Sequence, residues 1–576
     1  MKPKHNPTPW KFLEEYKGKY YNSEWPSLPQ MFDINVERYP QNKCWECFSP
    51  KHLVFTYAEA KALQKKVASY LVSLGVKKGD RVGVTGLNSP EWALAYMSIV
   101  TMGAIVAPVD YSLTDDEIES LLDFAEVKGL FVDGERFDRI GKGGKYDFKI
   151  SLTEKGFEDQ YILNVPETGC EYEQPVDEDL AAFLFTSGTT GTPKTVMLSH
   201  RNLVADAWLS QGQMNIFPTD VFYAILPIQH AYTMLAVMIE GMCSAANVVF
   251  GKRLIIKQLF KEMKEGKVTM FLAVPLLYNK LITAMMKGVD EKGKLVSGVI
   301  HGMMKFSGWL KKVFNVNIGK KMFGFLLKKV SLDNVRICIS GGGPLPASTF
   351  KQFNQLGLDF VQGYGLTETS PILTLNPIFD YEETSIGKVV PGVDMKFVDK
   401  DENGNGEICV KGPMVMQGYY NNPEATAEII DSDGYLHTGD IGYIDDRGFV
   451  YLTGRAKNII VTEGGKNVFP EEIEDHFQLY YDADQVCVTG YTLDAKMKTE
   501  GICVLIYPSE EYKKTNPTKE EMQKHFEGIV EEINKELLPY KRMRKVIIIN
   551  EPMEMSSTKK IKRFVVAKKY KDQING

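Results

Sequence analysis

Phosphate-binding chemistry is concentrated in the string Phe185-Thr186-Ser187-Gly188-Thr189-Thr190-Gly191-Thr192-Pro193-Lys194. Glycines let backbone N–H groups close around phosphate oxygens, hydroxyls add donors or a magnesium ligand, and the final lysine adds positive charge. The string is not a Walker A loop, because Pro193 stands where that motif requires glycine before its lysine. A solvated Ser/Thr/Gly loop is the plainer alternative, and the length of the matched string argues against it.

Such a loop needs regular elements to hold it. The apolar run 180–185 reads as a strand feeding the loop, and Ser199 ahead of 201–208 reads as the start of a helix. Helical spacing over 57–74 is followed by a short apolar strand, 81–85. A helix from Pro90 to about Met102 then turns at Gly103 into a buried strand, 104–109. This alternation predicts α/β units with mainly parallel strands. Around 395–455 short strands are separated by DENGNG (401–406), DSDG (431–434) and DDRG (445–448), which predicts a small antiparallel barrel or sheet. Beyond Gly454, strands at 485–489 and 501–507 and a charged helix from about Thr518 to Leu538 read as a small α+β domain.

The 185–194 string resembles the phosphate-loop signature of the adenylate-forming superfamily, which contains acyl-CoA synthetases, firefly-type luciferases and peptide-synthetase adenylation domains. Further segments resemble that family in the same order, over roughly 50–570. The segment 226–232, with His230 and Tyr232, resembles the lining of the acyl pocket. Ser340-Gly341-Gly342-Gly343-Pro344-Leu345 and Gln362-Gly363-Tyr364-Gly365-Leu366-Thr367-Glu368-Thr369 resemble the adenine-binding turns. The resemblance implies that Tyr364 stacks on adenine, Thr367 contacts the α-phosphate, and Glu368 with Thr186 holds Mg²⁺. His437-Thr438-Gly439-Asp440 resembles the ribose motif. Gly454-Arg455-Ala456-Lys457 resembles the hinge, with Arg455 on ribose and Lys457 as pivot. Gly464, Gly465 and Lys466 are implied on the thiol path.

The terminal string 556–563 resembles the lysine motif and places the catalytic lysine at Lys560. Two departures stand out: Thr195 follows the loop lysine where glycine is usual, and Lys559 precedes Lys560 where glycine is usual. The implied fold class is α/β: a large N-terminal domain of α/β subdomains with a small antiparallel β region over 1–453, a hinge at 454–460, and a small mobile α+β domain over 461–576.

The implied reaction joins a carboxylic acid to AMP, then to a pantetheine thiol, with ATP, Mg²⁺ and CoA as cofactor and co-substrates. An amino-acid substrate needs a buried partner for its ammonium, and 221–239 contains no acid. The segment 292–332 carries nine lysines and no Asp or Glu, with Phe306, Leu310, Val313 and Phe314 at helical spacing and Phe323, Leu326 and Val330 following. Two readings stand: amphipathic helices for an anionic membrane surface, or a solvated lysine face over a core stripe. Insertion of this segment resembles the long-chain branch of the family, so a medium- or long-chain fatty acid is the expected substrate. An acyl–acyl carrier protein synthetase is the alternative within the family, and a non-catalytic nucleotide-binding protein the alternative outside it.

Bulk properties agree with this reading. The 576 residues require at least two domains, and 44% hydrophobic with 25% charged residues is an ordinary globular composition. A net charge of −6 argues against a nucleic-acid protein whose whole surface is electropositive. Eight cysteines in so long a chain suit a reducing compartment, and Cys44 and Cys47 read as strand-flanking residues rather than a metal site. No apolar segment of the N-terminus reads as a signal peptide, and 92–109 and 221–239 are broken by Gly or Pro before reaching membrane-spanning length, so a cytoplasmic location is expected.

Overall fold

In the computed structural model, residues 10–186, 194–462, 466–478, 480–494, 499–515, 517–555 and 561–575 are described. The chain divides into two compact units. The first comprises Met1–Gly343, Ala347–Asp394 and Val410–Leu436; the second comprises Pro344–Pro346, Met395–Cys409 and His437–Gly576.

Two sheets organise the first unit. One runs in the order Gly418–Tyr419, Lys194–Ser199, Leu180–Thr186, Ile105–Pro108, Arg81–Thr85, Gly129–Val132, Phe148–Ser151. Its pairs are parallel from Leu180–Thr186 to Phe148–Ser151 and antiparallel on the other side, so the phosphate-loop hairpin lies on the antiparallel side. The other contains an uninterrupted parallel series: Lys43–Cys47, Asn247–Phe250, Val221–Ala224, Met270–Ala273, Ile337–Ser340 and Asp359–Gly365.

Local chemistry explains why the helices begin where they do. Thr56 and Glu59 form a reciprocal capping box for Tyr57–Ser73, and Ser199 accepts from the N–H of Asn202 at the start of His200–Ser210. The apolar stretch near residue 92 resolves into the helix Pro90–Thr101, every residue of which is buried, then Gly103 at φ +75°, then the strand Ile105–Pro108. Glycine is needed at that turn because a Cβ is poorly tolerated at positive φ. Among the described residues no helix is long and apolar enough to cross a membrane.

Cys44 and Cys47 lie inside the strand Lys43–Cys47 rather than flanking one; both are buried, and burial pushes the Cys47 thiol up to about 12. The 292–332 segment forms two helices, Lys294–Phe314 and Gly319–Lys329. Phe323, Leu326 and Val330 pack inward as a core stripe does, but Phe306, Val313 and Phe314 are exposed. The inward face of Lys294–Phe314 is instead Ile300, Met304, Ser307 and Lys311.

In the second unit the Asp-Gly turns behave as their chemistry requires. Asp401 accepts from the N–H groups of Asn403 and Asn405, with Gly404 at φ +83°. Asp445 does the same for Arg447 and Phe449, with Gly448 at φ +82°. These turns close a small sheet region in which Leu436–Ile444 and Phe449–Arg455 pair antiparallel. A separate three-stranded sheet places Thr499–Pro508 between antiparallel Ala483–Asp494 and parallel Lys545–Ile548. The helices Pro470–Phe477 and Lys519–Glu536 contribute Ile473, Phe477, Phe526 and Ile533 to the core of this α+β domain.

Candidate active site

The strands Leu180–Thr186 and Lys194–Ser199 place Thr186 opposite Lys194, so the glycine-rich string forms the connection of an antiparallel hairpin. Thr186 Oγ1 donates to the Lys194 carbonyl across 3.3 Å. Ser187, Gly188, Thr189, Thr190 and Gly191 lie outside the described residues. Lys194 Nζ stands 4.6 Å from the ring centroid of Tyr419, whose strand pairs with Lys194–Ser199. The Tyr419 hydroxyl donates to Glu368 Oε1 across 2.9 Å, and the Met416 N–H donates to the Glu368 carbonyl across 2.9 Å. Burial and the Glu368 charge push the Tyr419 hydroxyl pKa up, so it stays protonated and donating. Among the described residues, Glu368 Oε2 has no hydrogen-bond partner. A carboxylate oxygen and the Thr186 hydroxyl are hard oxygen donors of the kind Mg²⁺ takes.

Ser340 pairs in parallel register with Gln362; Gly341–Gly343 then turn away from their strand, whereas Gln362–Gly365, expected as a turn, continue the strand Asp359–Gly365 and pair antiparallel with Ile372–Leu375. The 341–343 turn and the strand end 363–365 both lie past the last parallel pair, Ser340 with Gln362, on the side where open α/β sheets bind ligands. Gly341 is closely approached: a Cβ there would meet the Tyr232 ring at 3.1 Å, so the ring would have to shift. Gly365 is more constrained, since a Cβ would lie 1.4 Å from the Pro371 carbonyl oxygen. Gly342, at φ +80°, and Gly343 complete the first turn. Gln362 is buried, whereas Gly363, Tyr364, Thr367 and Glu368 are partly exposed. Thr367 opens the short turn Thr367–Thr369, which is held by the Leu366 N–H donating to Thr369 Oγ1 at 3.1 Å.

Tyr232, in the short helix Ala231–Thr233, reaches the strand Ile337–Ser340, its hydroxyl donating to the Ile339 carbonyl across 3.0 Å. His230 faces a partner that sequence reasoning missed: its Nε2 is 3.5 Å from Asp110 Oδ2. Burial opposes ionisation of Asp110, but His230 and Ser112 outweigh it and hold the carboxyl below the usual carboxylate range. Asp110 follows the buried strand Ile105–Pro108, and nothing local in the sequence linked it to a residue 120 positions away.

In the second unit, Asp440 and Arg455 occupy directly opposed positions on the antiparallel pair, with Arg455 Nε 2.9 Å from Asp440 Oδ1. The 437–440 stretch of the strand Leu436–Ile444 is pinned by Glu407, also unnoticed in the sequence: its carboxylate accepts from the Gly439 N–H at 3.0 Å and lies 2.9 Å from His437 Nδ1. Lys457 is exposed in the turn Ala456–Asn458 that follows Phe449–Arg455. Lys466 forms an ion pair with Glu402; Gly464 and Gly465 lie outside the described residues. Lys560 also lies outside them. The flanking Met555 and Ile561 pair in an antiparallel bridge. Arg563 is anchored by Glu474 at 2.7 Å and the Val488 carbonyl at 2.6 Å, so the end of the terminal motif is tied to Pro470–Phe477 and the central sheet of that domain.

Comparison with known proteins shows the family. Residues 32–420 match the sequence model of the family described as AMP-binding enzyme, and 457–576 match the AMP-binding enzyme C-terminal domain. The peroxisomal long chain acyl-CoA synthetase 7 of Arabidopsis thaliana is 29% identical over 484 residues, 77% of this chain and 67% of its own. A long-chain-fatty-acid–CoA ligase of Mycobacterium bovis is 28% identical over 565 residues, 90% of this chain and 91% of its own. ATP-bound MatB from Rhodopseudomonas palustris has a TM-score of 0.75 at 25% identity, over 95% of this chain and 100% of that one. The anthranilate CoA ligase AuaEII in complex with anthranoyl-AMP shares the fold, with a TM-score of 0.77 at 20% identity, over 96% and 98% of the two chains. With one match extending over more than half its length and the second following it, the chain belongs to the AMP-binding enzyme family.

Proposed function

We propose that the protein activates a medium- or long-chain fatty acid with ATP and transfers the acyl group to CoA. The observation that carries the adenylation step is the Tyr419 bridge, which ties Glu368 to the strand pair bearing the 186–194 string. A carboxylate oxygen of the acid attacks the α-phosphorus of ATP, the bond to pyrophosphate breaks, and the acyl-AMP anhydride forms. The thiol of CoA then attacks the acyl carbon and AMP leaves. Negative charge gathers at the α-phosphate in the first step, so positioned electrostatics is the main catalytic means. We assign Thr367 to the α-phosphate, Lys194 with the loop donors to the other phosphates, and Lys560 to the charge developing in the transition state. Bound Mg²⁺, held by Glu368 and Thr186, would supply charge neutralisation there. Tyr364, the turn at 341–343 and the strand end at 362–365 are assigned to adenine, and Asp440 and Arg455 to the ribose hydroxyls.

Lys457 is assigned as the pivot between 1–453 and 461–576, and 464–466 as the thiol path, so that each half-reaction uses its own arrangement of the C-terminal domain. The fatty-acid reading draws on the names of the relatives and on the lack of an acid within 221–239. The acid next along the chain, Glu240, is buried; burial raises its carboxyl to about 8, so it is neutral at pH 7, and it is bonded to Ser210 and Gln211. All eight cysteines are free, as suits a cytoplasmic enzyme, and the basic 292–332 segment suits peripheral contact with an anionic membrane.

ATP–pyrophosphate exchange across acids from acetate to oleate tests the reading. Exchange rising with chain length supports it; exchange driven only by aryl or amino acids overturns it. Comparing free CoA with acyl carrier protein as acceptor decides between the ligase and the carrier-protein synthetase.

A further inference from the structure

The helix Lys294–Phe314 is turned the wrong way round for a protein surrounded by water. Its inward positions, Ile300, Met304, Ser307 and Lys311, recur at helical spacing, and one of them is a lysine. Lys311 is buried with three partners: it donates to Asn354 Oδ1 and the Leu358 carbonyl, each at 2.8 Å, and pairs with Asp359 Oδ1 at 2.7 Å. A buried ammonium is tolerated only when so satisfied, and these directed bonds fix the roll of the helix. That roll sends Leu295, Val299, Phe306, Trp309, Val313 and Phe314 outward, each more than half exposed. Trp309 stands 6.1 Å from Phe306 and 5.3 Å from Phe314, so the outer face carries a contiguous aromatic cluster. Exposed apolar patches of this kind mark interaction surfaces.

We propose that this outer face is a lipid-binding surface, which lies in the interfacial layer of an anionic bilayer with the aromatic cluster inserted and the surrounding lysines at the headgroups. Charge complementarity selects this occupant: the 292–332 segment has no acid and seven exposed lysines, of which Lys312 pairs with Glu383, whereas its exposed core is aromatic and aliphatic. Lysine stems lie along apolar surface while their heads reach phosphate, and tryptophan suits the boundary between the two. Since no described helix can span a bilayer, attachment is in the plane of the surface. The preceding helix, Pro275–Asp290, starts beside the 341–343 turn, where a Cβ on Gly343 would be 3.8 Å from Pro275. Its 16 residues extend about 24 Å from that turn to the basic helix. Resting on the fatty-acid reading, this arrangement joins the surface where a membrane-dissolved acid is collected to the site where it is activated.

The test uses the full chain and vesicles of phosphatidylcholine with or without phosphatidylglycerol. Of the six tryptophans, Trp309 alone is exposed, so anionic vesicles should shift its emission to the blue and brominated acyl chains should quench it. Trp309→Phe should abolish the optical change while the protein still co-sediments. Phe306→Ser with Val313→Ser and Phe314→Ser should weaken sedimentation at least about tenfold. Lys305→Glu with Lys321→Glu should do likewise for anionic vesicles. Both sets should leave ATP–pyrophosphate exchange on soluble octanoate near wild type, which also shows that they fold. Failure to bind anionic vesicles, equal binding to neutral ones, or a blue shift that depends on protein concentration without lipid overturns the proposal, the last by identifying the face as a contact between copies of this chain. Binding to anionic vesicles without exchange on any fatty acid leaves this surface standing and sinks the fatty-acid reading.

Discussion

The Tyr419 hydroxyl reaches Glu368 Oε1 across 2.9 Å although 51 residues separate them in the chain. The bond orients the carboxylate proposed to hold Mg²⁺, so the two residues should fail differently. Glu368→Gln removes the charge and should cut adenylation roughly 10²-fold, the scale of one lost electrostatic contact in an active site. Tyr419→Phe keeps the charge and should cost about tenfold, as for one hydrogen bond to a charged group. In Tyr419→Phe the Mg²⁺ concentration for half-maximal exchange should rise and saturating Mg²⁺ should recover most of the rate. Near wild-type exchange by Glu368→Gln at limiting Mg²⁺ would make Glu368 structural.

Asp440 and Arg455 face each other at 2.9 Å on adjacent strands and should bind nucleotide as a unit. Asp440→Asn and Arg455→Lys should each raise the KM for ATP roughly tenfold with less effect on kcat, and the double variant should cost less than the sum of the two. Strict additivity, measured as exchange rates over an ATP titration, would show that the pair does not act together.

The two half-reactions should separate by residue. Lys560→Ala should lower acyl-AMP formation at least ~10²-fold while leaving thioester formation from supplied acyl-AMP nearly intact. Lys457→Pro should do the reverse, because proline holds φ near about −65° and hinders the rotation a hinge absorbs. Lys559→Ala is the register control and should resemble wild type. If both Lys560→Ala and Lys457→Pro lose both half-reactions equally, in single-turnover assays, the assignment of one residue to each half is wrong.

Acid should destabilise the first unit through His200. Burial holds its imidazole at about 3, with Asp179 opposing and Lys78 reinforcing, and its Nδ1 accepts from the Leu28 N–H. The unfolded imidazole titrates near ~6.5. Between these values the unfolded state binds the extra proton, so stability falls as pH falls, by up to about 1.4 kcal/mol per pH unit from this group. His200→Asn, which preserves an acceptor for Leu28, should show a shallower loss between pH 6.5 and 4 in urea unfolding monitored by fluorescence. An unchanged slope would show that His200 contributes nothing to acid sensitivity.

Much of the machinery was legible because it is written locally. The strand Leu180–Thr186, the capped start at Ser199, the Asp-Gly turns after 395 and the helix beginning at Thr518 are set by neighbouring residues, through capping hydrogen bonds, turn chemistry and periodicity, whereas the strand Lys194–Ser199 was not read. The motifs around Tyr364, Asp440 and Arg455 were readable for the same reason, since each occupies a short contiguous string. What stayed hidden depends on contacts between distant segments. The pairing of Gly418–Tyr419 with Lys194–Ser199 decides that Tyr419 reaches Glu368, and packing after Ile105–Pro108 decides that Asp110 meets His230. The 292–332 segment shows the division most plainly. Its spacing determined an amphipathic helix but left open which face is buried, since an apolar stripe fits either a core or a bilayer. Three directed bonds from one lysine, Lys311, to Asn354, Leu358 and Asp359 fix that choice. Those partners lie more than 40 residues along the chain, where only the folded backbone brings them within hydrogen-bonding reach of a buried charge.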